Sequence, residues 1–228
     1  YDDAMDIFAA RRDGRGLRRL TSAPGYDAEA SYSPDGKLVV FCSLRGAYPV
    51  ERLSPENRKR LETDPAWFAE IYLMDADGSN QRRLTDMPGY DGGPFFSPDG
   101  QRIVWRRFEE SGAVADIYTM KLDGTDVRRL TRFGAMSWAP YFHPSGKYLV
   151  WSGANYSQGP RAANFDLFTM DLDFAGDAPK AGTVTRITDH KAADVLPVFS
   201  PDGKRLMWTS TRAADGTSQL WVADWLRK

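Results

Sequence analysis

Four carboxylates stand at one recurring place in the sequence: Asp27 and Glu29 follow Pro24-Gly25-Tyr26, Asp91 follows Pro88-Gly89-Tyr90, and Asp194 follows Lys191-Ala192-Ala193. Gathered at one opening, such groups would suit Ca²⁺, another hard cation, or a cationic group on a partner. The competing reading is local, because an Asp after Gly-Tyr also accepts backbone hydrogen bonds in an Asx-type turn. A further copy of the segment reads Ala135-Met136-Ser137-Trp138, which breaks any symmetric acidic ring and leaves Asp27, Asp91 and Asp194 as the metal candidates. Tyr26, Tyr90 and Trp138 occupy the same segments. They are candidate anchors for a partner peptide, with aromatic packing between repeats as the alternative.

Catalytic chemistry finds little support. Of the two histidines, His143 fills the Ser slot of a turn that elsewhere reads Ser-Pro-Asp-Gly, and His190 follows Asp189 in a loop. No Gly-x-Ser-x-Gly elbow, His-Glu-x-x-His helix or phosphate-binding loop is present in the sequence. No catalytic residue is assigned and no cofactor is expected beyond the Ca²⁺ candidate. The segment is read as a non-enzyme, with any hydrolase domain lying elsewhere in a parent chain.

The elements that must position these residues come from an internal repeat, and three cassettes recur in fixed order. The first is an aromatic residue followed by a turn: Tyr32-Ser33-Pro34-Asp35-Gly36, Phe96-Ser97-Pro98-Asp99-Gly100, Phe142-His143-Pro144-Ser145-Gly146 and Phe199-Ser200-Pro201-Asp202-Gly203. The second is Asp6-Ile7-Phe8, Glu70-Ile71-Tyr72, Asp116-Ile117-Tyr118, Asp166-Leu167-Phe168 and Gln219-Leu220-Trp221. The third is Arg18-Arg19-Leu20-Thr21, Arg82-Arg83-Leu84-Thr85, Arg128-Arg129-Leu130-Thr131 and Thr185-Arg186-Ile187-Thr188. Runs rich in β-branched and aromatic residues, Lys37–Phe41, Arg102–Arg106, Tyr148–Trp151 and Lys204–Thr209, lie between the first and second cassettes. Each unit is therefore four antiparallel strands. Pro, Asp and Gly in sequence make the first turn a type I hairpin closed by a left-handed glycine. Four-stranded units at this spacing predict an all-β propeller, with a partial blade at 1–21, blades at 22–85, 86–131 and 132–188, and an incomplete blade at 189–228.

The cassette order resembles the repeat of TolB and related propeller proteins across essentially the whole chain. The resemblance implies six blades, of which about four and a quarter are present, and a periplasmic or otherwise extracytoplasmic bacterial setting. Starting at Tyr1 in mid-repeat, the chain reads as a processed or excised piece of something longer.

Strand parity sorts the loops. The tight turns share one face; the links between blades share the other with two insertions, Arg45–Ala69 and Ala154–Asn164. In the first insertion Ser54-Pro55 is a helix start, and a short helix through about Leu61 follows. Elaborated loops on a rigid scaffold place binding on that face. The repeated Arg pairs read as charges that guard outer strand edges against aggregation. A formal charge of -1, from 30 basic and 31 acidic residues, supplies no global field for nucleic acid. No apolar run approaches the length of a membrane helix, so membrane insertion is not expected. Cys42 stands alone in an apolar run, which excludes an internal disulfide. A protein or peptide partner at the elaborated face is the leading expectation; an accessory, substrate-filtering role beside a peptidase or other hydrolase is the alternative.

Overall fold

The computed structural model describes residues 5–154, 164–173 and 180–226. The expected insertion at Ala154–Asn164 lies, except for its ends, outside the described residues. The chain divides into two compact units, residues 1–96 with 107–112 and residues 97–106 with 113–228.

In the first unit β1 (Phe8–Ala9) and β2 (Arg18–Arg19) form a two-stranded ladder. Strands β3 (Asp27–Tyr32), β4 (Leu38–Ser43), β5 (Glu70–Asp75) and β6 (Arg82–Arg83) then form a four-stranded antiparallel sheet in sequence order, and β7 (Asp91–Phe96) follows. Strand β8 (Arg102–Phe108) runs from the second unit into the first. In the second unit β9 (Ala115–Lys121) pairs with β10 (Arg128–Arg129). Strands β11 (Met136–Phe142), β12 (Tyr148–Ala154), β13 (Phe165–Asp173) and β14 (Lys180–Arg186) then pair in sequence order within a larger sheet, in which β11 joins β9 by parallel pairing of Met136 with Ala115. Strands β15 (Asp194–Phe199), β16 (Arg205–Ser210) and β17 (Gln219–Asp224) make a three-stranded sheet. Among the described residues every helical turn falls between Arg45 and Phe68, including α1 (Pro55–Thr63), whose first turn Ser54 caps by accepting from Asn57 N–H.

Strands β4 and β12 are strongly apolar. Val39–Cys42 in β4 and Leu149–Trp151 in β12 are buried, because neighbouring chain covers both of their faces. Burying each such side chain stabilises the fold by about 1.5–3 kcal/mol.

The Ser-Pro-Asp-Gly turns close on themselves. Ser33 Oγ donates to Asp35 Oδ1 at 2.7 Å, Lys37 N–H donates to the same oxygen, and Leu38 N–H donates to Ser33 Oγ. Exposed Asp35 is held below the usual carboxylate range, first by the Ser33 hydroxyl and then by the Lys37 amide. His143 substitutes for Ser by accepting from Ser145 N–H through Nδ1, which leaves Nε2–H to donate to Gly203 O at 3.1 Å.

The Asp-Ile-Tyr and Arg-Arg-Leu-Thr cassettes lock to each other four times. Thr21, Thr85, Thr131 and Thr188 each accept through Oγ1, at 2.9 Å, from the backbone N–H of Ile7, Ile71, Ile117 and Leu167. The preceding Arg19, Arg83, Arg129 and Arg186 pair with Asp6, Glu70, Asp116 and Asp166. The second Arg of each pair therefore ties the outer strand to its neighbour while staying partly exposed, and of the first arginines Arg18 donates to Ala76 O and Arg128 pairs with Asp126.

Candidate functional site

The innermost strands share a feature that composition does not announce. Pairing between β3 and β4 slips between Ala28 and Ser31, between β11 and β12 it slips between Trp138 and Tyr141, and between β15 and β16 between Val195 and Val198. At each slip a non-glycine residue is left-handed: Glu29 (φ 53°), Ala139 (φ 52°) and Leu196 (φ 57°). Gly93 in β7 has φ 59° at the matching place. These are β-bulges, and they turn the strand beginnings just where the candidate residues lie.

In the first unit Asp27 opens β3 and is buried. Arg45, two residues beyond β4, donates to Asp27 Oδ2 at 2.5 Å and to Ser43 Oγ at 3.0 Å. Its guanidinium carbon lies 5.1 Å from the Phe41 ring centre and 5.0 Å from that of Tyr72. Asp91 opens β7, equally buried, and takes both oxygens to Arg107, at 2.7 and 2.5 Å. Glu29 reaches the next strand, where Oε2 accepts from Tyr90 Oη–H and Gly93 N–H, both at 2.8 Å. Tyr26 and Tyr90 pack against Cys42, Leu44, Ala47, Phe68 and Ala69 beneath the insertion. In the second unit Asp194 opens β15, pairs with Arg212, and accepts from Trp208 Nε1–H at 3.1 Å. Trp138 is half-buried, meets Phe165 edge-on at 6.3 Å, and has the Arg106 guanidinium 5.9 Å from its ring centre.

Three of the four carboxylates are thus the anionic halves of buried ion pairs within their own units, and Glu29 is a tie between successive strands. Among the described residues no group of three or more His, Cys, Asp and Glu side chains is arranged to hold a metal ion. The arginines were missed in the sequence. Their signal was the spacing Ser43-x-Arg45 and Ser210-x-Arg212, in which the serine orients the guanidinium. The second histidine, His190, accepts from Ala192 N–H through Nδ1.

Glu70 carries the largest electrostatic perturbation described. Burial pushes its carboxyl up to about 7, with the Asp91 charge adding to the rise, while Thr85 and Arg83 pull against it. Burial also raises Asp166, against the pull of Arg186.

Both kinds of loop border an open cavity. In the second unit one of about 500 Å³ lies among the turns, lined by Pro98, Asp99, Pro144, Ser145, Lys147 and Asp173 among others. In the first unit the link before β3 and the insertion after β4 border one of about 600 Å³, lined by Pro24, Tyr48, Pro49, Val50, Glu51 and Tyr72 among others. Apolar and aromatic walls with a few polar groups are what a peptide-sized ligand requires.

The family model described as the TolB beta propeller domain matches residues 54–176. A Protein TolB homolog from Chlorobium chlorochromatii is 28% identical over 124 residues, covering 45% of this chain and 28% of that protein. The crystal structure of TolB from Acinetobacter baumannii superposes with a TM-score of 0.70 at 21% identity, over 96% of this chain and 46% of that one. A puromycin-hydrolyzing peptidase from Mycobacterium tuberculosis superposes with a TM-score of 0.61 at 16% identity, over 97% of this chain and 34% of that one. The chain spans less than half the length of these proteins.

Proposed function

Because the chain belongs to the TolB β-propeller domain family, we propose that it is a non-catalytic scaffold that binds a protein or peptide through the face carrying its inter-blade links and insertion, in an extracytoplasmic setting. The observation that carries this reading is the contrast between the two kinds of loop. The Ser-Pro-Asp-Gly turns spend their polar groups on themselves, as Ser33, Asp35 and Lys37 do. The turns do border a cavity, but a polar one edged by Asp99, Ser145, Lys147 and Asp173, whereas the link-side cavity has apolar and aromatic walls from Pro24, Tyr48, Val50 and Tyr72, and the same insertion carries a capped helix. Loops that elaborate a rigid sheet frame are where binding concentrates.

Site-specific photo-crosslinking in the native cell tests it. Probes at Tyr48, Val50 and Trp138 on the link face should give discrete protein adducts, and probes at Lys37, Gln101 and Lys147 on the turn face should not. Equal labelling of both faces, or labelling from the turns alone, would refute the reading.

The second reading is an accessory propeller that positions substrate for a linked hydrolase. It is favoured by the recurrence of this fold within a third of the length of a peptidase. A hydrolase domain contiguous with these repeats in the parent gene, together with loss of its substrate selectivity on altering Tyr48 or Trp138, would establish that reading over the first.

A further inference from the structure

The cavity bordered by the link before β3 and the insertion after β4 shows a ligand one hydroxyl, few open main-chain groups and one unpaired charge. Tyr72 supplies the hydroxyl. It lies in β5, which is paired on one side with β4 and on the other with β6, so this strand offers the cavity no free edge. The residue is only 7% exposed, with the Phe41 ring centre 5.6 Å and the Arg45 guanidinium 5.0 Å from its own ring centre. Among the described residues its hydroxyl makes no hydrogen bond, yet the oxygen is not sealed from solvent. A Cβ placed on Gly46 would stand 3.8 Å from that oxygen, which sets the hydroxyl beside the turn Arg45–Ala47 at the edge of the cavity. Burial raises the hydroxyl above its usual range, against the pull of Arg83 and Arg45, and so keeps it a donor.

The main chain of the insertion is already occupied. In the turns Arg45–Ala47 and Val50–Arg52, the N–H groups of Tyr48, Arg52 and Leu53 donate to Arg45 O, Pro49 O and Val50 O at 3.1, 3.1 and 3.0 Å. Arg58 donates to Glu51 O and Leu53 O at 2.9 and 3.0 Å. The Arg45 guanidinium is likewise held, by Asp27, Ser43 and Gln81. Much of the remaining wall is Pro24, Tyr48, Pro49 and Val50, with Tyr48 so close to Gly25 that a Cβ there would come within 3.0 Å of its ring. Glu51 also lines the cavity; it is exposed, and its carboxylate has no ion-pair partner among the described residues.

These features select among peptides. An ordinary segment brings an N–H at every residue, and burying one without an acceptor costs about 1–3 kcal/mol. Proline brings none, and in the polyproline II form its carbonyls stay open to a donor while the chain is ordered in advance. Aromatic and proline walls with a hydroxyl donor suit such a segment. We propose that this cavity receives a proline-rich segment of a partner polypeptide in the polyproline II conformation. One of its main-chain carbonyls accepts from Tyr72 Oη–H, a proline ring lies against Tyr48, and a neighbouring Arg or Lys faces Glu51. This inference rests on the scaffold reading and adds the chemistry of the ligand.

The test is calorimetric titration of the protein with acetyl-Pro-Pro-Val-Pro-Arg-Pro-amide and with two counterparts, one carrying Ala at every Pro and one carrying Glu for Arg. The proline peptide should bind saturably and about tenfold or more tighter than the alanine peptide. Y72F removes only the hydroxyl and should weaken the proline peptide about three- to tenfold with Tm unchanged. E51K, at an exposed position, should weaken it about threefold and improve the Glu counterpart by a similar factor. An alanine peptide that binds as well as the proline peptide would overturn the proposal, as would Y72F and E51K both binding the proline peptide as the wild type does. Should crosslinks from Tyr48 and Val50 persist while the proline peptide gives no saturable heat, the scaffold reading stands and this inference falls alone.

Discussion

Replacing Glu70 by Gln removes a carboxyl group that is 3% exposed and sits between Arg83 and Thr85 near the Asp91 charge. Its folded value of about 7 stands above an ordinary 4.5. The folded state therefore holds this proton more tightly than the unfolded chain. Below pH 4.5 both states are protonated and burial of the group costs nothing extra. As pH rises from there to about 7, the unfolded chain ionises freely and the folded one does not, so stability falls. At about 1.36 kcal/mol per pKa unit, the loss complete above pH 7 is about 3 kcal/mol, or roughly 6–12 °C in Tm for a chain of this size. Thermal unfolding followed by circular dichroism at pH 5 and pH 8 measures it. The Gln side chain can still accept from Thr85, and Arg83 keeps access to water, so E70Q should lose most of that pH-dependent difference and exceed the wild type at pH 8. Subtracting variant from wild type cancels the opposite contributions of turn acids such as Asp35 and Asp202, whose carboxyls lie below the usual range. Identical pH profiles for E70Q and wild type would refute burial as the source of the shift.

Thr131→Val deprives Ile117 N–H of its acceptor and Asp116 of a donor, and should cost about 1–3 kcal/mol by urea denaturation, with Thr131→Ser recovering most of the loss. Arg212→Ala leaves Asp194 buried beside only the Trp208 indole, a loss of about 3–5 kcal/mol in the same assay, and Asp194→Asn on that background should return part of it. Gly203→Ala places a methyl 2.5 Å from His143 Nε2 at a φ of +69° and should lower Tm; adding His143→Ala should relieve the collision and leave the backbone strain.

The turns and the cassette order were legible because they are local. Asp35 and Ser33 bond within their own turn, so five residues of sequence contain the whole arrangement. The second arginines of the outer strands were visible as a motif but read as edge charges, since their partners lie 13 to 20 residues away across a strand pair. The fate of the candidate acids was hidden for a further reason. A bulge at Glu29 and its equivalents changes which side chains meet, and period-two alternation carries no sign of it. Glu29 thus ties Tyr90 to Gly93, while Asp27 and Asp91 meet Arg45 and Arg107, residues whose reach depends on where β4 and β8 end. The break in the acidic ring at Ala135-Met136-Ser137-Trp138 falls, with the pairs resolved, on Ser137, which takes the strand-start place of Asp27, Asp91 and Asp194.

Binding at the link face is tested most directly by the affinity of the parent protein for the partner that crosslinks to it, measured by calorimetry with Tyr48→Ala and Trp138→Ala on one face and Lys37→Ala and Lys147→Ala on the other. A scaffold working through its links and insertion should lose at least tenfold in affinity from the first pair and stay within twofold for the second. Loss from the turn-face pair, with the link-face pair binding as the wild type does, would contradict the account.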